Sequence, residues 1–333
     1  MPVFPADSVH IRYAANVLRE GGIAAFPTET VYGLGADVFN TDALARVFAV
    51  KRRPRFDPLI VHIAHRDTLD ALVDFSVLTP PAQRRVALLA ETFWPGPLTL
   101  VLPKLPRVPG LATAGLATVA IRFPDHPVAL QLIGAMGENG AVAAPSANPF
   151  GYLSPTRAAH VAAQLGDQVP VILDGGPCRI GVESTVLDIG YGESGKADTP
   201  RILRPGGVTL EALREVIPTV EIVEIAAAGN VPSHDAQSSP GLLKSHYAPT
   251  TPLYLHSREE MRSLPKIPGH AYLYMEETVQ KSAARLFDKL NALDHEGYTA
   301  IHAELAPEEG LGLAINDRLR RAAAKTGAGQ DHR

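Results

Sequence analysis

Apolar residues recur at alternating helix and strand spacings through roughly the first 215 positions of the 333-residue chain, a pattern that predicts an α/β fold. A first helix starts near Asp7 and Ser8, which suit an N-cap, and stops at the Gly21-Gly22 pair, where a left-handed turn costs little. A strand over 23–26 follows. Thr41 caps a second helix with Leu44, Val47 and Phe48 on one face; Pro54 ends it, and a buried strand over 58–63 comes next. Further strands over 98–102, 118–123, 141–144, 169–173, 184–189 and 201–203 alternate with helical stretches. Periodicity lapses from about 229 to 252, where Pro, Ser, Gly and Asn gather as in a linker. It returns with strands over 253–255 and 271–274, separated by the capping-box spacing of Ser257 and Glu260, and with amphipathic helices over 283–293 and 313–324. The expected organisation is a large α/β domain over 1–217, a linker over 218–251 and a small α/β domain over 252–333.

Composition narrows the function. With 46% hydrophobic and 20% charged residues the chain is globular, and its length favours two domains over one. A net charge of -4 argues against a main task of coating a phosphate backbone and points first to small ligands. The single cysteine, Cys178, can form neither an intramolecular disulfide nor a cysteine-rich zinc site, which fits a reducing compartment. The N-terminal MPVFPADSVHIRY has no basic region followed by an apolar run, and no later stretch is apolar for long enough to span a bilayer; a cytoplasmic location without membrane contact is the expectation.

Candidate chemistry collects at strand ends and in loops. Pro27-Thr28-Glu29-Thr30-Val31-Tyr32-Gly33-Leu34-Gly35 reads as a turn rich in hydroxyls and backbone donors, able to meet an anion without matching the P-loop or the dinucleotide fingerprint. Lys51-Arg52-Arg53-Pro54-Arg55 runs into a buried strand, so its cations are anchored beside the sheet as a triphosphate clamp requires. His62 and Arg122 lie in apolar strands, and a buried arginine needs an anionic partner, from the protein or a substrate. Ser146 and Asn148 follow a strand in Ala-Pro-Ser-Ala-Asn-Pro; the nucleophile elbow of a serine hydrolase is absent, and hydrogen bonding to a polar ligand is the better reading. Ser184 and Arg204 sit at further strand ends. Lys51, Arg53, Arg122 and Arg204 are expected to converge on a polyanion. The string SPGLLKSHYAP, with His246 and Tyr247, is dense in functional groups for a linker and reads as a lid that excludes water from a reactive intermediate.

Taken in order, PTETVYGLGAD, KRRPRFDPLIVHI, FWPGPLTLVLP, VAIRFPDHPVA, APSANPFGYLSPT, GVESTVLDI, ILRPGG and SPGLLKSHYAP resemble the long form of the L-threonylcarbamoyladenylate synthase family. The resemblance spans nearly the whole chain, including GLAINDRLRRAA near its end. It implies a YrdC-like twisted mixed sheet with flanking helices plus a smaller, Rossmann-like C-terminal α/β domain. It also implies an adenylyl transfer: threonine and bicarbonate give a carbamate that attacks the α-phosphate of ATP, yielding threonylcarbamoyl-AMP and pyrophosphate for the N6-threonylcarbamoyladenosine of tRNA. A separate downstream transferase would consume the product, so tRNA contact is indirect or weak, and Mg²⁺ would arrive with ATP rather than in a protein cage. Carried over by motif, the catalytic residues would be Lys51, Arg53, Ser146 and Asn148. ATP would meet Arg53, Asp57, Thr118, Ser146, Ser154, Arg204, His246 and Tyr247, and threonine would meet Thr30, His62, Arg122, Ala144 and Ser184. Asp57 stands where many members carry asparagine. A nucleic-acid-binding module and a carbamoyl transferase with another acceptor are the alternatives.

Overall fold

A computed structural model describes residues 2–190, 199–223 and 246–324. Eleven strands form one mixed sheet in the order β1-β8-β2-β3-β7-β4-β6-β5-β9-β10-β11. They are β1 (Val3–Pro5), β2 (Ala24–Phe26), β3 (Gly33–Asp37), β4 (Ile60–Ile63), β5 (Leu98–Pro103), β6 (Thr118–Arg122), β7 (Ala141–Ala143), β8 (Ile172–Asp174), β9 (Thr185–Asp188), β10 (Arg201–Arg204) and β11 (Glu221–Ile222). Six helices flank them: α1 (Ser8–Arg19), α2 (Thr41–Lys51), α3 (Pro80–Phe93), α4 (Pro127–Gly134), α5 (Ala158–Leu165) and α6 (Leu210–Val216).

Side-chain alternation along the strands decides what each face does. Leu34, Val61, Ile63, Leu100 and Ile121 point to a face covered by Leu44 and Val47 of α2, Leu89 of α3, Val161 of α5 and Leu213 of α6. On the opposite face α1 and α4 bury Ile11, Leu18, Val128 and Leu132 against Ala24, Phe26 and Val142, at one end of the sheet only. The rest of that face carries the small cluster Ile60, Val101, Ala120, Val186 and Leu203, which includes no helical residue. The site lies beside this uncovered patch.

Local chemistry explains most boundaries, including those that differ from expectation. The Asp7 carboxylate accepts from the backbone of Val9 and His10, as a cap of α1 should. Asn40, not Thr41, caps α2, and the helix stops at Lys51 because Arg52 adopts the left-handed region at φ 51°, ahead of the residue that Pro54 biases away from helix. The glycine-rich stretch read as a turn is partly strand: a Cβ on Gly35 would lie 2.6 Å from Val142 Cγ1 and 2.8 Å from Phe26 Cε1, so the glycine serves close packing within β3. The stretch expected as linker opens with β11, which pairs in parallel with β10.

The C-terminal part is a parallel sheet of order β12-β14-β13, built from β12 (Leu253–His256), β13 (His270–Leu273) and β14 (Ala300–Glu304). α7 (Arg258–Ser263) opens with the expected Ser257/Glu260 capping box, while α8 (Val279–His295) and α9 (Leu311–Ala323) pack on the sheet face formed by Leu253, Ala271 and Ile301. Central strand β14, Ala-Ile-His-Ala-Glu, has little β-propensity and escapes a sequence reading. Val31, Leu153 and Val182 from the first part share a core with Tyr247, Phe287 and Ile315. Gly181, at φ +79°, lets α8 approach: a Cβ there would lie 2.3 Å from the Ala283 carbonyl oxygen. Among the described residues no helix is long and apolar enough to cross a membrane.

Candidate active site

A row of polar side chains crosses the uncovered face at one level. His62 of β4 is in register with Arg122 of β6, which is in register with Thr99 of β5. The Thr99 hydroxyl lies 2.8 Å from Ser184 Oγ, just before β9, and Arg204 at the end of β10 donates from Nη2 to that same Oγ at 3.1 Å. These residues break the apolar pattern of their strands on one face only, and that is how the sheet holds them in line.

Two loops close over the row. In the first, Thr28 Oγ1 donates to the Val31 carbonyl at 2.7 Å and lies 2.9 Å from Thr30 Oγ1, which in turn accepts from Arg122 Nη1 at 2.9 Å. Because Thr28 has spent its only proton, Thr30 donates to it. In the second, Pro145 and Ala147 bond to the backbone of Leu34 and Tyr32, setting Ser146 over the cavity. Lys51 grips that loop from behind, with Nζ 2.5 Å from the carbonyl oxygens of both Ser146 and Asn148. The Asn148 amide donates to the carbonyls of Pro149 and Tyr152, bracing the next turn.

The resulting cavity brings together Thr30, Arg53, His62, Arg122, Ala144, Ser146, Ser184, Arg204, His246 and Tyr247, all singled out from sequence. Five others do not line it: four stand behind the wall and Thr118 lies farther along β6. Lys51 and Asn148 support the Ser146 loop. Asp57 pairs with Arg53 at 2.9 Å. The Ser154 hydroxyl donates to Glu183 at 2.5 Å. Thr118 shares the face of Arg122 on β6, four residues and about 13 Å along the strand. The Ala144 N–H already bonds to the Ile60 carbonyl, which leaves its carbonyl for a ligand. Of the linker motif, positions 239–245 lie outside the described residues; His246 and Tyr247 line the cavity.

Sequence reasoning assigned no role to two buried carboxylates. Glu29 lies 2.7 Å from Arg122 Nη2, and Glu183, on the cavity wall, accepts from Arg318 Nε of α9 at 2.7 Å. Both sit inside motifs quoted above, yet their partners are 93 and 135 positions away, and no local pattern marks the pairing.

Burial sets the charges. The imidazole of His62 is pushed down to about 3, first by desolvation and then by Arg122, so it is neutral; its Nδ1 faces the Ile60 carbonyl, an acceptor, and carries the proton. His246 is lowered well below its usual value by burial and then by Arg53 and Lys51. Burial, followed by Arg53, likewise lowers Lys51. Glu183 is held below the usual carboxylate range by Arg318 and Arg204 against the opposing effect of burial. Cys178 is buried and its thiol pushed up, which makes it inert. Among the described residues no imidazole is hydrogen-bonded to Ser146, so the nucleophile–base pair of a serine hydrolase is missing.

Fold and cavity define an α/β ligand-binding protein whose site combines arginines, hydroxyls and neutral histidines. The sequence model of the Sua5/YciO/YrdC family, described as "Telomere recombination", matches residues 16–206, and that of the threonylcarbamoyl-AMP synthase C-terminal domain matches 208–324. The chain belongs to this family, in its two-domain form. It is 41% identical to the threonylcarbamoyl-AMP synthase of Pyrococcus abyssi over 334 residues, covering 94% of this chain and 93% of that protein. It is 42% identical to the Bacillus subtilis threonylcarbamoyl-AMP synthase over 339 residues, covering 94% and 92%. The crystal structure of P. abyssi Sua5 complexed with L-threonine superposes with a TM-score of 0.86 at 38% identity, covering 98% of this chain and 97% of that one.

Proposed function

We propose that the chain is a threonylcarbamoyl-AMP synthase. Threonine and bicarbonate condense to N-carboxythreonine and water; a carbamate oxygen then attacks the α-phosphorus of ATP, pyrophosphate leaves, and threonylcarbamoyl-AMP remains. The observation that carries the reading is the meeting of Arg53, Arg122 and Arg204 with Thr30, Ser146 and Ser184 around one cavity, in a chain that aligns end to end with synthases of that name. An in-line displacement at phosphorus needs positioning and charge neutralisation rather than a protein nucleophile, which this lining can supply.

Arg122 and Thr30 are suited to the threonine carboxylate and hydroxyl, with neutral His62 and the Ala144 carbonyl beside them. Arg53 and Arg204 are suited to the phosphates, and Ser146, His246 and Tyr247 to the reacting end. Lys51, Asn148, Asp57 and Ser154 act through the groups they hold, and in this reading Thr118 meets the far end of the nucleotide. In this reading the magnesium arrives with ATP, carried chiefly by its phosphate oxygens and water. In this reading a separate downstream transferase that acts on tRNA consumes the product, and the synthase itself needs no direct tRNA contact. A cytoplasmic location fits this chemistry.

The test is pyrophosphate release from the purified full chain with ATP and Mg²⁺, omitting threonine and bicarbonate in turn. Dependence on both is expected; release that persists without threonine would move the assignment to a carbamoyl transferase with another acceptor.

A further inference from the structure

The C-terminal part of the chain reaches the cavity through one side chain. Arg318, at 1% exposure among the most deeply buried large residues, extends from α9 and donates from Nε to Glu183 Oε2 at 2.7 Å, while Nη1 lies 2.5 Å from Asp317 Oδ2. Its guanidinium carbon stands 5.2 Å from the centroid of the Tyr247 ring, whose other neighbours are Phe287 and His246. Tyr247 is held at φ +62°, a conformation a bulky side chain adopts only when its surroundings over-determine it. Next to Arg318, Asp317 binds Arg321 Nε at 2.8 Å, and the Arg321 carbonyl accepts from the His246 backbone. One turn of α9 therefore fixes Glu183, Tyr247 and His246, three cavity-lining residues from two distant stretches of sequence.

Glu183 is the group that makes this arrangement consequential. A carboxylate on the wall of a triphosphate site repels the ligand, and a second cation that acts on Glu183 is Arg204, which bonds to the neighbouring Ser184 carbonyl at 3.0 Å. With Arg318 in place the carboxylate is neutralised from behind and its other oxygen holds the Ser154 hydroxyl. Without Arg318 the charge of the carboxylate would be balanced only by Arg204, which lines the same cavity.

We propose that Arg318 is a positioning residue for nucleotide binding: by holding Glu183 away from Arg204 and pressing on Tyr247, it makes the C-terminal domain part of the ATP site. This rests on the reading of the cavity as an ATP and threonine site.

The experiment measures calorimetric affinities of the full chain for ATP·Mg²⁺ and, separately, for L-threonine, alongside pyrophosphate release and unliganded melting. Arg318→Met is expected to weaken ATP at least about tenfold and threonine less than about twofold, because Arg122 and Thr30 are untouched. The double variant Glu183→Gln with Arg318→Met is expected to recover most of the ATP affinity, since the carboxylate that would capture Arg204 is gone. It also keeps the test available if the single variant, which has lost the buried Arg318–Glu183 pair, does not fold. Unchanged ATP affinity in folded Arg318→Met, or in the double variant an ATP affinity no better than in the single one, would overturn the proposal. A drop in melting temperature alone would leave Arg318 a structural residue and refute the positioning role. Wild-type protein that binds neither ATP nor threonine would instead refute the functional reading itself.

Discussion

Burying an imidazole in neutral form makes stability depend on pH, and His62 allows the size of the effect to be worked out. Its folded value of about 3 lies below the ordinary 6.5, so the unfolded chain binds the proton more readily than the native one. The sign follows: the contribution is complete above the unfolded value and is lost as pH falls through the window between 6.5 and about 3. Between about pH 7.5 and about pH 5 the loss is about 2 kcal/mol, rising to about 5 kcal/mol below the folded value. His62→Gln keeps a side chain of similar reach and a donor for the Ile60 carbonyl but cannot take up a proton. Urea unfolding reported by the single tryptophan, Trp94, whose indole is buried and bonded to the Leu98 carbonyl in the same sheet region, measures both proteins at both pH values. Wild type should lose about 2 kcal/mol more than the variant on acidification. The other buried neutral histidine on the cavity wall, His246, contributes equally to both proteins and cancels. Parallel pH dependence in the two proteins would refute the claim that His62 is held neutral by its surroundings.

Two further outcomes follow from the support behind the cavity. Lys51→Met fills the same space but leaves the Asn148 carbonyl without its donor, while the Ser146 carbonyl keeps the Asn148 N–H at 3.0 Å; a net loss of about 1–3 kcal/mol in urea and at least a tenfold fall in turnover are expected, and a near-normal rate would remove Lys51 from the site. Glu29→Gln keeps the shape beside Arg122 and removes the balancing charge, so melting temperature should fall and KM for threonine should shift by about tenfold while KM for ATP stays within about twofold; equal movement of both constants would show that the pair does not act at the amino-acid end.

What was legible in the sequence was local. Alternation and breakers are short-range signals, and they locate α1, β4, β5, β6 and the capping box of α7, each within a few residues. They fail where a residue serves a distant neighbour. Gly33 and Gly35 read as a turn, yet they form a strand because Val142, Ala144 and Phe26 press against them. β14 reads as nothing, because Ala303, which shares a core with Ile301, α8 and α9, is suited to that space rather than to intrinsic strand preference. At the site, arginines and loop hydroxyls announced themselves by type, and six of them, Arg53, Arg122, Arg204, Thr30, Ser146 and Ser184, meet in one cavity. Glu29, Glu183 and Arg318 did not, since nothing in a carboxylate's immediate sequence says which arginine it will face.

The carboxylates also change the argument for why the cations can be there. Arginines gathered in a buried wall look as though they must await a polyanion, but two of them are already balanced from behind: Arg122 by Glu29 and Arg53 by Asp57, each pair buried. Lys51 is satisfied by two carbonyls instead of an ion. A triphosphate is therefore not needed to hold the fold together, and its binding does not have to begin by ordering the cations. It meets guanidinium groups fixed by partners on their far side, with planar forks that offer several donors each. The gain over water comes from that fixed orientation, which costs no rearrangement as charge moves from the α-phosphate to the departing pyrophosphate. By the same reasoning a lysine in place of Arg53 keeps the charge but loses the bond from Nε to the Asp57 carbonyl and from Nη2 to the Pro58 carbonyl, and with them the orientation on which the site depends.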